Sequence, residues 1–147
     1  MATTRRATAT WSGDLPTGRG TVTAASTGIF RDQPTTWASR TEEPNGVTSP
    51  EELLAAAHAS CFSMACSNNL AKAGTPAESV HTDASVQLRN IDGKPTIAQI
   101  DLVTVGRVPG IDEAAFQEQA EAAKAGCPVS RALAGVPEIT LSATLES

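Results

Sequence analysis

The stretch Thr48-Ser49-Pro50-Glu51-Glu52-Leu53-Leu54-Ala55-Ala56-Ala57-His58-Ala59-Ser60-Cys61-Phe62-Ser63-Met64-Ala65-Cys66 decides the fold. Ser49 fits an N-cap, Pro50 the first helical position, and Glu52, three residues after the serine, the acid of a capping box. Good helix formers follow as far as Gly74 and Pro76, so one long helix is predicted from residue 50 to about 73. Cys61 stands in the middle of that alanine-rich helix. It lies about three turns in, past the first turn where the helix dipole favours a thiolate, and burial there raises a thiol's pKa. A reactive Cys61 therefore needs a cation brought from elsewhere.

The candidate cation is Arg40, placed at the end of a short strand preceding the helix; the plain alternative is an ordinary surface arginine. Glu51 sits ten residues before Cys61, about 15 Å down the same helix axis, and cannot touch its own Cys61. If Glu51 orients Arg40 near a sulfur, that sulfur belongs to a second subunit with an antiparallel helix. Otherwise Glu51 simply favours the positive end of its own helix.

Cys127 precedes Pro128, and the pair reads as the cap and first position of a short helix ending at Gly135. Backbone N–H groups there favour a thiolate, so local physics makes Cys127 more acidic than Cys61, which also suits a resolving thiol. Cys66, five residues past Cys61, points about 140° away around the helix and reads as a small buried hydrophobe. His58, one turn before Cys61, could serve as its base or as part of a metal site; a core histidine satisfied by hydrogen bonds is the default. Only His81, Cys66 and Cys127 remain as further metal ligands, with no C-x-x-C pair, so no metal site is expected.

Around these residues the chain reads as one domain, 1–147, of α+β class with antiparallel sheet. Arg5 to Ser12 alternates as a half-buried strand with Ala7, Ala9 and Trp11 on one side, and Thr21 to Ser26 returns after a glycine- and proline-rich turn. A third strand is expected over Thr36 to Thr41. Val80 to Leu88 and Thr96 to Val108 pair across a turn at Asp92-Gly93. Asp112 to Ala125 forms a helix with Phe116, Ala120 and Ala123 on one face. Glu138 to Leu145 closes as a strand with Ile139, Leu141, Ala143 and Leu145 on one side.

With two tryptophans, three phenylalanines and no tyrosine, the core must be mostly aliphatic. A net charge of −5 argues against nucleic acid or an anionic membrane as partner. Met1 to Arg6 has no apolar run behind it, so no signal peptide is expected, and Leu53 to Cys66 is too short to span a bilayer. A soluble, cytoplasmic protein is expected. Three cysteines do not make a secreted disulfide framework, which leaves catalysis, redox work or burial.

The helix stretch, Val108-Pro109-Gly110-Ile111-Asp112 and Cys127-Pro128-Val129-Ser130-Arg131-Ala132-Leu133 together resemble the OsmC/Ohr family of hydroperoxide-reducing proteins. The run His58-Ala59-Ser60-Cys61-Phe62-Ser63-Met64 is more like the OsmC branch. The resemblance implies an intertwined homodimer, with antiparallel sheets wrapped around long central helices and two active sites at the interface. It implies a peroxidase for organic hydroperoxides and hydrogen peroxide in oxidative and osmotic stress. Cys61 would be the peroxidatic cysteine and Cys127 the resolving one, joined in an intramolecular disulfide during turnover. Arg40 and Glu51 would activate the sulfur across the interface, with Arg31 as the fallback arginine. No cofactor is implied beyond an external dithiol reductant, such as a lipoyl-type protein or a small thiol. Phe62 and Met64 would wall the site for an organic tail. The alternative class is a non-catalytic small-ligand or interaction domain with buried thiols.

Overall fold

The computed structural model describes residues 1–146, and the chain divides into two compact units, Met1–Leu53 and the residues from Leu54 on.

In the first unit, β1 (Thr8–Ser12), β2 (Arg19–Thr23) and β3 (Gln33–Thr35) form an antiparallel sheet in that order. Thr8 pairs with Thr23 and Trp11 with Gly20; β3 pairs with β2 from Gly20 to Val22. The expected half-burial of the first strand is not found: all of β1 is exposed, because its alternating small residues meet no second layer within this unit. The strand expected over Thr36 to Thr41 is also corrected. The strand ends at Thr35, and Ala38–Thr41 is a single helical turn, α1. Local side chains explain the switch. The Thr36 N–H donates to Ser39 Oγ at 3.3 Å and the Ser39 N–H to Thr36 Oγ1 at 3.0 Å, offering the backbone a turn in place of a ladder.

Helix α2 (Pro50–Lys72) begins in the first unit and continues into the second. Its start is half of the expected capping box: the Glu52 N–H donates to Ser49 Oγ at 3.2 Å, but the Glu52 carboxylate takes the Thr48 hydroxyl instead of reaching back to the cap. Its end is a Schellman motif. With Gly74 at φ +82°, the Gly74 N–H bonds to the Ala71 carbonyl and the Thr75 N–H to the Leu70 carbonyl.

The second unit carries the sheet β4 (Ser79–Ile91), β5 (Lys94–Arg107) and β6 (Glu138–Leu145). β4 and β5 form a long antiparallel hairpin. Asp92 and Gly93, at φ +50° and +80°, make the two-residue turn whose twist matches the strands. Antiparallel pairing does not extend to the last strand: β6 lies parallel to β5, Leu102 opposite Leu141. The chain between them, α3 (Glu113–Gly126) and α4 (Pro128–Ala132), is a helical crossover, and a crossover returns a strand in the same direction. Asp112 caps α3, its carboxylate accepting from the Ala115 N–H at 2.8 Å.

Alternation along β5 puts Ile100, Leu102 and Thr104 on the buried side. Phe62, Cys66 and Leu70 of α2 and Phe116, Ala120 and Ala123 of α3 complete the core, as the helix face predicted from Phe116, Ala120 and Ala123 requires. Gly106 lets α3 come close: a Cβ there would meet the Phe116 ring at 2.5 Å.

Candidate active site

Cys61 and Cys127 are both free thiols, the first partly exposed and the second fully buried. Cys61 comes from the middle of α2, and Cys127 from the bend between α3 and α4, where its N–H closes α3 on the Ala123 carbonyl at 2.8 Å. Cys61 packs against the buried cluster that contains Cys127, and each thiol shifts the other's titration. Burial pushes the Cys61 thiol up, and the Cys127 thiol pushes it further, against a smaller opposing effect of the Val129 N–H. Burial alone would also raise Cys127. It is outweighed by the Ser130 N–H, the Cys61 thiol, the Ser130 hydroxyl and the Val129 N–H, which together bring Cys127 below the ordinary thiol value. Cys127 is thus the more acidic thiol, as its place before a helical turn suggests. Cys66 is enclosed in the core and pushed up to about 11 by burial, which keeps it an inert thiol.

In the first unit, Arg40 and Glu51 form a fork-to-fork ion pair. Arg40 Nη2 lies 2.7 Å from Glu51 Oε1, and Nε lies 3.2 Å from both carboxylate oxygens. Two planar groups joined by parallel hydrogen bonds fix each other's orientation, which a lysine could not reproduce. The Trp37 ring lies 5.4 Å from the guanidinium carbon, within cation–π range. Arg40 occupies the single turn α1, not the end of a strand, and Ser39 ties that turn to the start of α2 by donating to the Thr48 carbonyl at 3.0 Å. Glu51 is buried, while the Arg40 side chain keeps 28% of its surface. The guanidinium of Arg31 lies over Gly28, so Arg40 is the arginine that pairs with Glu51.

His58 is fully buried, and its Nε2 lies 2.7 Å from the Ser130 hydroxyl. Among the described residues its Nδ1 has no partner, so only half of the expected satisfied core histidine is realised. An orphaned buried polar atom costs about 1–3 kcal/mol. Burial also lowers the His58 pKa, favouring neutral imidazole. Ser130 was not legible as a site residue; its spacing three residues after Cys127, one turn along a short helix, is the signal that would have found it. His81 is exposed, 3.5 Å from Asp83. Phe62 is wholly in the core and Met64 is exposed, so they do not form one wall beside Cys61; two residues apart on a helix, they point to opposite sides. Among the described residues no group of three or more His, Cys, Asp or Glu is gathered for a metal ion. No helix there is long and apolar enough to cross a membrane.

The chain is of α+β class, with one free thiol in the middle of a long helix and another at a helix bend, a setting in which thiol chemistry is possible. Residues 43–142 match the family described as OsmC-like protein, and the chain belongs to that family. It is 44% identical over 147 residues, covering 100% of both chains, to Peroxiredoxin OsmC of Escherichia coli (strain K12). Its fold is that of an organic hydroperoxide resistance protein from Elizabethkingia anophelis, with a TM-score of 0.73 at 22% identity over 99% of this chain and 100% of the other. An OsmC-like protein from Mycoplasma pneumoniae gives a TM-score of 0.72 at 20% identity, covering 100% of each chain.

Proposed function

We propose that this thiol-dependent peroxidase reduces organic hydroperoxides and hydrogen peroxide with Cys61 as the attacking thiol and Cys127 as the resolving one. The observation that carries the assignment is the pair itself: two free thiols, one partly exposed and packed against the buried cluster that holds the other at a helix bend. The exposed member meets the substrate. The Cys61 thiolate attacks the terminal peroxide oxygen and the O–O bond breaks; alkoxide or hydroxide leaves with the electron pair and takes from solvent the proton that Cys61 released on ionising, departing as alcohol or water. Cys61 becomes a sulfenic acid. Cys127 then attacks the Cys61 sulfur, the S–O bond breaks, water leaves and a disulfide forms. An external dithiol, of lipoyl type or a small thiol, takes the disulfide back to two thiols in the cytoplasm.

Cys61 needs help for the first step, since burial and Cys127 both hold its proton on. The Arg40–Glu51 pair of a second protomer supplies it, with Arg40 stabilising the thiolate and the oxygen charge as it develops. A homodimer also suits the first unit, where Trp11, Leu15 and Ile29 are exposed and no apolar side chain is buried.

Thiol mapping by peptide mass spectrometry tests the cycle, before and after one equivalent of an organic hydroperoxide. The wild type should yield a Cys61–Cys127 disulfide, Cys127→Ser an over-oxidised Cys61, and Cys61→Ser no reaction. Oxidation of Cys127 ahead of Cys61 would overturn the assignment.

A further inference from the structure

The pair His58–Ser130 has no part in the cycle as described, yet it abuts the resolving thiol. His58 rises from α2 and Ser130 sits one turn after Cys127 in α4; both are buried, and they meet at 2.7 Å. Three residues apart, Cys127 and Ser130 share one side of this short helical turn, and the Ser130 hydroxyl is among the groups that lower the Cys127 thiol. A serine hydroxyl has one proton to give and two lone pairs, while neutral imidazole has one N–H and one lone pair. If His58 carries its proton on Nδ1, Nε2 must take the serine proton, and nothing is left for Cys127. If the proton is on Nε2, His58 donates to Ser130 and the serine proton is free.

We infer that His58 and Ser130 are positioning residues for the resolving step, His58 donating Nε2–H to Ser130 Oγ so that the only hydroxyl proton is directed at the Cys127 sulfur. The unpartnered Nδ1 is then the lone-pair side of a neutral ring. Protonating it would bury an N–H with no acceptor, so the ring stays neutral and the direction of the relay is fixed. The hydroxyl stabilises the Cys127 thiolate as it attacks the Cys61 sulfenic acid; no proton is transferred along the relay, and the departing hydroxide takes from solvent the proton that Cys127 released on ionising. Cys61 of α2 packs against the cluster that holds Cys127, and Ser130 follows Cys127 by one turn in α4. Beside Ser130, a groove is lined by Glu121 and Lys124 of α3, whose charges lie 3.9 Å apart, and Arg131 of α4.

This inference rests on Cys127 being the resolving thiol. Single-turnover mixing with one equivalent of cumene hydroperoxide, quenched and read for disulfide across pH, tests it on wild type, Ser130→Ala, Ser130→Thr and His58→Phe. The relay predicts that Ser130→Ala and His58→Phe move the pH midpoint of disulfide formation upward and that Ser130→Thr restores it. For each tenfold loss of thiolate, the more basic sulfur regains about threefold in nucleophilicity, so disulfide forms roughly threefold more slowly at neutral pH. Above the midpoint the variants should be no slower than wild type. A rate loss equal at every pH marks a packing role and overturns the relay. Absence of any Cys61–Cys127 disulfide in the wild type instead overturns the assignment of Cys127. Nitrogen NMR of the His58 ring in the reduced wild-type protein decides the matter where a variant does not fold. A neutral Nε2–H ring at neutral pH is expected; an Nδ1–H ring or an imidazolium overturns the relay.

Discussion

Up to Leu53 the only buried residues are Gly20, Ser39, Ser49 and Glu51, none with an apolar side chain. Beyond it, Phe62, Leu70, Ile100, Leu102 and Phe116 are fully enclosed. The first unit is held by backbone ladders and by polar anchors such as Ser39 on Thr48 and Arg40 on Glu51. The second is held by a sheet and two helices closed over apolar side chains. The proposed chemistry divides along the same line, with the thiols in the core-bearing unit and the charged pair in the coreless one. Rigid packing suits two sulfurs that, in the proposed cycle, form a bond in a narrow geometry. A unit without its own core suits the proposed role of a part that a second protomer completes.

The largest effect should come from the core. Phe116→Ala removes a ring with no exposed surface from the face of Gly106 and should cost about 3–5 kcal/mol of unfolding free energy. Urea denaturation measures it. A loss under about 1 kcal/mol would mean that the second unit is no better packed than the first, and the contrast would fail.

Next is Arg40→Met, which keeps the length of the side chain and removes the charge. Sulfenic-acid formation at Cys61 should slow by about 10²–10³-fold, the usual cost of losing one preorganised donor at a developing oxygen charge. Stability should fall less than in Phe116→Ala, by about 1–3 kcal/mol, as Glu51 is left buried without its partner. A stability loss with the first oxidation unaffected would reduce Arg40 to an anchor for Glu51.

The same contrast governs what the amino-acid sequence discloses. In the second unit, periodicity located the core: Phe116, Ala120 and Ala123 on one helix face, and Ile139, Leu141, Ala143 and Leu145 along one side of the last strand. Apolar spacing reports burial, and burial is what holds this part. In the first unit the same reasoning put Trp11 on a half-buried strand that is exposed, and read a strand where Thr36 and Ser39 cap a helical turn. No apolar pattern distinguishes those alternatives, since reciprocal hydroxyl bonds decide between them. The parallel placement of β6 was hidden for another reason: it depends on the crossover through α3 and α4, a long-range property. The Arg40–Glu51 pair was legible only through the family resemblance, with Arg31 as the fallback; charge and helix position alone left Arg40 readable as an ordinary surface arginine. Ser130 was not legible, because its partner His58 lies 72 residues away in the chain.

The smallest effect lies on the outer face of the second unit's sheet. There the Asp101 carboxylate draws three strands together, accepting from Thr140 Oγ1 of β6 at 2.6 Å, Gln99 Nε2 of β5 at 2.7 Å and Gln87 Nε2 of β4 at 2.9 Å. Those hydrogen bonds, Thr140 first and then Gln99, with Gln87 and the Arg89 charge behind them, hold the Asp101 pKa below its ordinary value. The folded state therefore binds the proton less readily than the unfolded chain. The stability this contributes is fully present above the unfolded value of about 3.9, and is lost as pH falls through the lower folded-state value. Asp101→Asn should lower the melting temperature slightly at neutral pH, and the gap from wild type should close on acidification through that window. Paired melting curves across the acid range measure it. A gap that stayed constant down to the lowest pH would show that the three strands are joined by the shape of the side chain and not by its charge.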